Sequence, residues 1–194
     1  MTDISNLEWF DYSGAPPLLL PLSLAVEWKG FYIPLPPGDE DDPDIDLIIG
    51  EDQFLINDDF DTEIPVSDYD KLCKMGLDED VHAVLLELKG GTAFAISSTY
   101  DNIAYWPQKM MFLSGADDFI EESSIEGLIW ECLFEWDLKD KKVLLMNSCD
   151  HGAAPEEYKD SHQILSIKPG KYAVEFALYS DAERQINLYR LLIL

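Results

Sequence analysis

The chain has 194 residues, of which 47% are hydrophobic and 12% aromatic, and its 39 Asp and Glu against 13 Lys and Arg give a formal net charge of −26. This aromatic content excludes an acidic disordered tail, and the charge excludes binding to nucleic acid or anionic lipid through a basic surface. The length fits a single domain, residues 1–194, that buries a sizeable core.

The N-terminal segment contains a short buried strand followed by a short helix. Leu18–Leu20 is typical of a buried strand, and Pro21 suits the first position of a helix over residues 22–29 that Gly30 ends. The apolar run Leu18 to Val26 is shorter than the roughly 20 residues that a membrane span needs, and no cationic secretory signal precedes it. The three cysteines lack paired spacing, which indicates a reducing compartment. We therefore expect a cytoplasmic protein.

The negative charge is concentrated in one stretch of the chain. Residues 30–70 carry fourteen Asp and Glu and no Lys, Arg or His, whereas residues 139–194 carry eight acidic and eight basic residues. Within this stretch, prolines and mutual repulsion disfavour regular structure, so we expect an acidic loop region over residues 38–63. Such a surface repels nucleic acid and membranes and attracts basic partners, which makes a cationic protein the expected ligand.

The acidic loop region does not contain a complete calcium-binding motif. Asp42, Asp44 and Asp46 have the spacing of the first EF-hand ligands, but Leu47 stands where the motif needs glycine and Gln53 where it needs a bidentate Glu. The sequence therefore predicts no metal site and no cofactor, and leaves open only weak Ca²⁺ binding to clustered carboxylates.

The remaining elements alternate between strands and short helices. A capping pattern predicts a helix over residues 68–75, and a second acidic helix is expected over residues 116–126. Turn signals between apolar runs predict three hairpins and a final strand, over residues 84–96, 128–146, 164–179 and 185–194. The fold class predicted is α+β, a single domain with a mainly antiparallel β-sheet and two or three short helices.

The sequence gives little support to catalysis. Glu131 and Glu135 are expected to share one face of a strand at a separation too large for a glycosidase pair, and the adjacent Cys149-Asp150-His151 is a poor catalytic dyad. No nucleotide, zinc-protease or hydrolase motif is present, so we expect no enzymatic activity. The five tryptophans are expected mainly in the core, although a pocket lined by them would indicate the alternative function, a small-molecule or carbohydrate-binding β-rich module.

Several motifs occur in the order found in a known family. The chain resembles the immunity protein 21 family of bacterial polymorphic-toxin systems over roughly residues 8–152. The motifs that carry the resemblance are Trp9, Ser13-Gly-Ala-Pro16, Leu18-Leu-Leu-Pro21, Trp28-Lys-Gly30, Asp68-Tyr-Asp70 with Cys73, Gly91-Thr-Ala-Phe-Ala-Ile96, Trp106-Pro107 and Val143-Leu-Leu-Met-Asn-Ser148. Ala15 stands where a second glycine is usual, and the acidic loop region is longer than is typical. The resemblance implies a non-enzymatic inhibitor that protects its producer by binding a toxin.

Charge and resemblance lead to the same hypothesis. The acidic loop region would dock onto the basic cleft of a cognate toxin, a nuclease being one candidate, with carboxylates taking the place of phosphates and buried aromatic side chains anchoring the complex. A competing interpretation is that the acids only keep the chain soluble or adapt it to a salty habitat, and their uneven distribution disfavours the adaptation to salt. The predicted partner-binding residues are Asp39, Glu40, Asp41, Asp42, Asp44, Asp46, Phe54, Asp58, Asp59, Phe60, Asp61 and Glu63.

Overall fold

The computed structural model describes residues 7–11, 16–28, 30, 71–72, 74–75, 80–97, 102–115, 125–148, 150, 152, 162–181 and 185–194. These residues form two antiparallel sheets, one of six strands in the order β1-β5-β6-β11-β10-β7 and one of five strands in the order β3-β4-β2-β8-β9. The strands are β1 Trp9–Asp11, β2 Pro17–Pro21, β3 Ala83–Leu88, β4 Gly91–Ile96, β5 Asn102–Trp106, β6 Met111–Ser114, β7 Glu131–Leu138, β8 Lys142–Asn147, β9 Gln163–Ser166, β10 Gly170–Ser180 and β11 Gln185–Ile193.

The two sheets pack face to face around a shared apolar interior. Successive side chains of a strand point to opposite faces, so each strand sends every second residue inward. Val143 and Leu145 of β8 enter the interior from the five-stranded sheet, and Tyr172 and Val174 of β10 enter it from the six-stranded sheet. The interior therefore depends on apolar residues at alternate positions of both sheets.

The five-stranded sheet is apolar on its outer face as well. Its central strand β2 is buried at every position, because Leu18 and Leu20 point away from the interior into a second cluster that includes Trp28. A 3-10 helix, Leu22–Glu27, follows β2 and belongs to the cover of this face. Leu72 and Met75 pack into the same cluster, so the sheet lies between two apolar layers.

Two polar side chains cross the interior and join the sheets. The Tyr189 hydroxyl of β11 lies 2.9 Å from the carbonyl oxygens of His82 and Ser97, which flank the β3–β4 hairpin, and 2.9 Å from the Ser97 hydroxyl. Trp136 of β7 donates its indole N–H to the carbonyl oxygen of Thr92 in β4 at 3.1 Å. Burial raises the pKa of Tyr189 well above its usual value, so this hydroxyl stays protonated and remains a donor.

The local predictions about strands are largely confirmed. The fold is mainly antiparallel β, the buried strand at Leu18–Leu20 is part of β2, and the last ten residues supply β11. The β3–β4 hairpin closes through the two-residue turn Lys89-Gly90, since Leu88 pairs with Gly91. The prediction that Gly30 ends the helix is wrong, because the 3-10 helix ends at Glu27, Trp28 is already extended, and Gly30, with a φ of 96°, lies beyond that end.

The α+β class is corrected to mainly β for the described residues. The helix expected over residues 22–29 is a six-residue 3-10 helix, a form common in short connecting segments. Of the helix expected over residues 68–75, Lys71–Leu72 and Lys74–Met75 are helical and the other residues lie outside the described part. Of the helix expected over residues 116–126, residues 116–124 lie outside it as well and Ile125 is helical. The single domain over residues 1–194 stays a prediction.

Two predicted hairpins are wrong. β7 pairs with β10 in the six-stranded sheet, whereas β8 pairs with β2 and β9 in the five-stranded sheet. In the same way, β9 and β10 belong to different sheets. A polar connection between two apolar runs is compatible with a hairpin and equally with a connection that crosses from one packed sheet to the other. In both cases the chain reverses direction and each strand carries a row of apolar side chains that face the interior.

Replacing Tyr189 by Phe should destabilise the protein by about 1–3 kcal/mol, because a buried hydroxyl that bridges the two sheets is lost while its partners stay. The matched control is Tyr179→Phe, whose hydroxyl bonds Asp181 at an exposed position and whose loss should cost less than about 0.5 kcal/mol. Urea denaturation measures both free energies of unfolding. Equal values for the two variants would mean that the Tyr189 hydroxyl does not join the sheets.

Candidate functional site

The partner-binding residues predicted from the sequence, Asp39 to Glu63, all lie outside the described residues. The structure therefore does not bring any of them together, and their role stays a prediction. Within the described part, one feature with the geometry of a binding site is a pocket on the outer face of the six-stranded sheet.

A row of neighbouring strands forms the floor of this pocket. Trp106 of β5 pairs with Met111 of β6, and Met111 pairs with Arg190 of β11, so the three side chains lie side by side on one face. They point outward because their neighbours in sequence Tyr105 and Tyr189 point into the interior. The pairing of strands thus brings together residues that are 84 positions apart in the chain.

Two connections complete the wall. Residues 125–130 lead into β7 and contribute Ile125, Glu126, Leu128 and Trp130, and the β5–β6 connection contributes Lys109. The pocket has a volume of about 250 Å³. It is therefore large enough for a small molecule or for one side chain of a partner, and too small for a folded segment.

Arg190 is held in place from two sides. Its Nε lies 2.5 Å from a carboxylate oxygen of Glu175, its cross-strand neighbour on β10, and its guanidinium carbon lies 4.0 Å from the ring centroid of Trp130. A guanidinium over an aromatic face is attracted by the negative charge of the π-system. Because Glu175 engages Nε, the two terminal nitrogens of the fork remain as further donors.

Trp106, which also lines the pocket, has a buried polar atom, its indole nitrogen. The residue is only 2% exposed, and among the described residues its indole nitrogen Nε1 has no hydrogen-bond acceptor. The Lys109 ammonium lies 5.7 Å from the centre of the Trp106 ring. The loop that carries Lys109 is fixed by the Met110 carbonyl, which accepts a hydrogen bond from the Leu191 amide at 2.9 Å. The pocket thus combines two cations, two indoles and apolar walls.

The carboxylate pair considered from the sequence is not on one face. A bulge in β7 leaves Leu133 without a partner, so that Glu131 pairs with Phe176 and Glu135 pairs with Ala173. Phe176 points into the interior and Ala173 is on the opposite face, which places the two carboxylates on opposite sides of the sheet. The expectation of a shared face is therefore wrong.

The segment around Asp150 has a different partner from the one considered. Cys149 and His151 lie outside the described residues, whereas the Asp150 carboxylate is 3.3 Å from Nε2 of the buried His162. The described residues contain no group of three His, Cys, Asp or Glu that could hold a metal ion. They also contain no helix long and apolar enough to cross a membrane.

Comparison of the chain with models of protein families, with curated proteins and with solved structures finds no match. The geometry of the described residues therefore carries the functional argument.

The sequence predicted the tryptophans mainly in the core and kept a tryptophan-lined pocket as the alternative, but it did not locate one. Trp28, Trp106 and Trp136 are fully or almost fully buried, which confirms that assignment for these three. The signal that was missed is Arg190, one of only two arginines in the chain, in the middle of the apolar strand β11. A cation on an apolar face marks a site where the surrounding structure must provide a partner.

Replacing Arg190 by Gln should destabilise the protein by about 1–3 kcal/mol, because Glu175 is then left without its partner at a site where its side chain is only 15% exposed. Lys171→Gln is the matched control, since the Lys171–Glu135 pair is more than half exposed and should contribute less than about 0.5 kcal/mol. Urea denaturation measures both changes. An effect of Arg190→Gln no larger than that of the control would show that the Glu175 contact does not hold the guanidinium.

Proposed function

We propose that the protein is a non-enzymatic inhibitor that neutralises a cognate bacterial toxin, acting in the cytoplasm of the producing cell and binding through its acidic segments. The proposal joins two arguments, the resemblance to the immunity protein 21 family and the distribution of charge. The observation that carries it is the concentration of negative charge in residues 30–70, which hold fourteen acidic residues and no Lys, Arg or His.

The described strands carry little of this excess charge. The described residues contain thirteen Asp and Glu against ten Lys and Arg, so the two sheets are close to electrically balanced. The remaining stretches contain twenty-six Asp and Glu against three Lys and Arg. A chain that needed charge only for solubility would distribute it over the framework as well.

Concentrated negative charge has a defined consequence for binding. It attracts a basic surface over several ångströms and raises the rate of productive encounter, while the lifetime of the complex depends on closely packed anchors. Toxins that act on nucleic acid carry basic clefts to hold phosphates, so carboxylates of residues 39–63 would occupy the positions of those phosphates. Phe54 and Phe60 are the proposed anchors.

One observation favours a second candidate function. The outer-face pocket is lined by Trp106 and Trp130 together with convergent polar groups, which is the arrangement expected of a small-molecule-binding module. Stacking on a sugar ring needs an open aromatic face, and Trp106 is 2% exposed while Arg190 lies over Trp130. Of the two ligands considered from the sequence, a small molecule thus has more support than a carbohydrate.

Replacing Asp41, Asp42, Asp44 and Asp46 by Asn should lower the association rate with the toxin at least about tenfold at low salt, with a smaller effect on dissociation. The toxin tested is the product of the gene adjacent to that of this protein. Association and dissociation rates are measured by stopped-flow fluorescence at low and high salt, and suppression of toxicity is measured in cells.

The matched control removes the same number of charges from exposed positions on the framework, and should leave the association rate within about twofold. Equal slowing by both variants would mean that only net charge matters, and no binding by the unaltered protein at either salt would overturn the proposal. The control residues, each replaced by its amide, are Glu8, Glu87, Glu135 and Asp137.

A further inference from the structure

We infer that the outer-face pocket binds an aryl carboxylate, a compact molecule with one aromatic ring and one carboxylate. The inference rests on the second candidate function, since it names the ligand class of that pocket, and it is independent of toxin binding by the acidic segments.

The polar groups of the pocket determine which polar group the ligand carries. Arg190, Lys109 and the Trp106 indole can only donate hydrogen bonds at neutral pH, and two of them are cations. Among the described lining residues, Glu126 alone supplies a side-chain acceptor that is charged. A ligand that complements these donors brings acceptor atoms, and a carboxylate supplies two of them on one group.

The apolar groups determine its shape. Met111, Ile125 and Leu128 line the pocket with the two indoles, neither of which offers an open face for stacking. An aromatic ring would therefore pack against the aliphatic side chains, where a strongly hydrated ion would lose hydration without gaining a partner. Inorganic phosphate would satisfy the cations and leave these walls in contact with water. A flat ring attached to an acid satisfies both sets of groups.

The volume limits the size. A cavity of about 150 Å³ holds benzene, so a pocket of about 250 Å³ has room for one ring and a short acidic side chain. Nucleotides and oligosaccharides are larger than this space. The expected ligand therefore has about ten to twelve non-hydrogen atoms, below the range of drug-sized ligands.

The Arg190 guanidinium defines where the carboxylate would lie. The terminal nitrogens of the Arg190 guanidinium form a planar fork that matches a carboxylate, and the contact of Nε with Glu175 fixes the orientation of that fork. The Trp106 indole N–H is buried and, within the described residues, has no acceptor. Because this nitrogen has less than 1 Å² of accessible surface, a carboxylate in the open pocket would lie at the Arg190 fork and not at the indole nitrogen.

The same chemistry has two sources, a free aromatic acid and the C-terminal aromatic residue of a peptide. The probes are 3-phenylpropionate for the first and the tripeptide Gly-Gly-Phe for the second. Each is titrated into the full chain by calorimetry, with tryptophan fluorescence as a second readout. We expect 3-phenylpropionate to bind with a Kd of about 0.1–1 mM, as is usual for a ligand of this size. Tighter binding of the tripeptide assigns the pocket to a peptide C-terminus, and weaker binding assigns it to a free acid.

Neutral and inorganic controls separate the inference from the function on which it rests. We expect 3-phenylpropanamide and phosphate each to bind at least about tenfold more weakly than the acid. Equal binding of the amide would contradict the requirement for a carboxylate and would still support a small-molecule pocket. Tighter binding of phosphate would contradict the requirement for an aromatic ring. No binding of any probe at 10 mM, roughly ten times the weakest expected Kd, would overturn both the inference and the second candidate function.

A pair of variants places the site. Lys109→Met removes a pocket cation and should weaken 3-phenylpropionate binding about three- to tenfold, whereas Lys89→Met removes an equally exposed turn cation from the five-stranded sheet and should not change it. Both positions are exposed turn residues, so neither change should prevent folding, and circular dichroism checks this. Equal effects of the two changes would mean that the acid binds elsewhere.

Discussion

The hydroxyl of Tyr189 and the indole of Trp136 donate across the space between the two sheets, and their hydrogen bonds hold the sheets in one relative position. The geometry of such a hydrogen bond is tightly constrained, because a buried donor without an acceptor lowers the free energy of unfolding by a large fraction of the total for a small domain. The bonds therefore fix which residues of β7 and β11 point inward. Every other feature of the described structure depends on that choice.

The outer-face pocket is the direct result. Once Tyr189 points inward, its neighbour Arg190 must point outward, and the register of β11 with β6 places it beside Met111. The inward position of Tyr105 turns Trp106 outward on the next strand but one in the same way. The pocket thus lies on the opposite face of the strands whose inward side chains form the core, so a change that repacks the interior would also alter the site. Only Trp130, Lys109 and the residues of the 125–130 connection reach it independently of strand register.

Local patterns in the sequence predicted eight of the eleven described strands, but they did not predict β1, β5 or β6. The two apolar runs between Val84 and Ile96 predict a hairpin because pairing there is between neighbours in sequence, although the predicted Gly90-Gly91 turn lies one residue earlier, at Lys89-Gly90. The pairing of β7 with β10 and of β6 with β11 depends on contacts between distant segments, and no local pattern specifies it. The bulge at Leu133 has the same origin, since it reflects a fit between β7 and β10 rather than a property of the segment itself. A site built from strand register could therefore not be located by spacing along the chain.

The position of β2 has a consequence for how the protein folds. This strand, residues 17–21, lies between β4 and β8, so its hydrogen-bonding partners end at residues 96 and 147. During synthesis, β2 cannot pair with β8 until most of the chain has been made, so the five-stranded sheet closes late. The β3–β4 hairpin, in contrast, can form as soon as its own residues have been made. β2 is apolar on both faces, and in the incomplete chain this surface would attract other chains. The fourteen acidic residues between residues 30 and 70 follow directly, so the exposed apolar strand of an incomplete chain is flanked by charge of one sign, as is typical of residues that oppose aggregation.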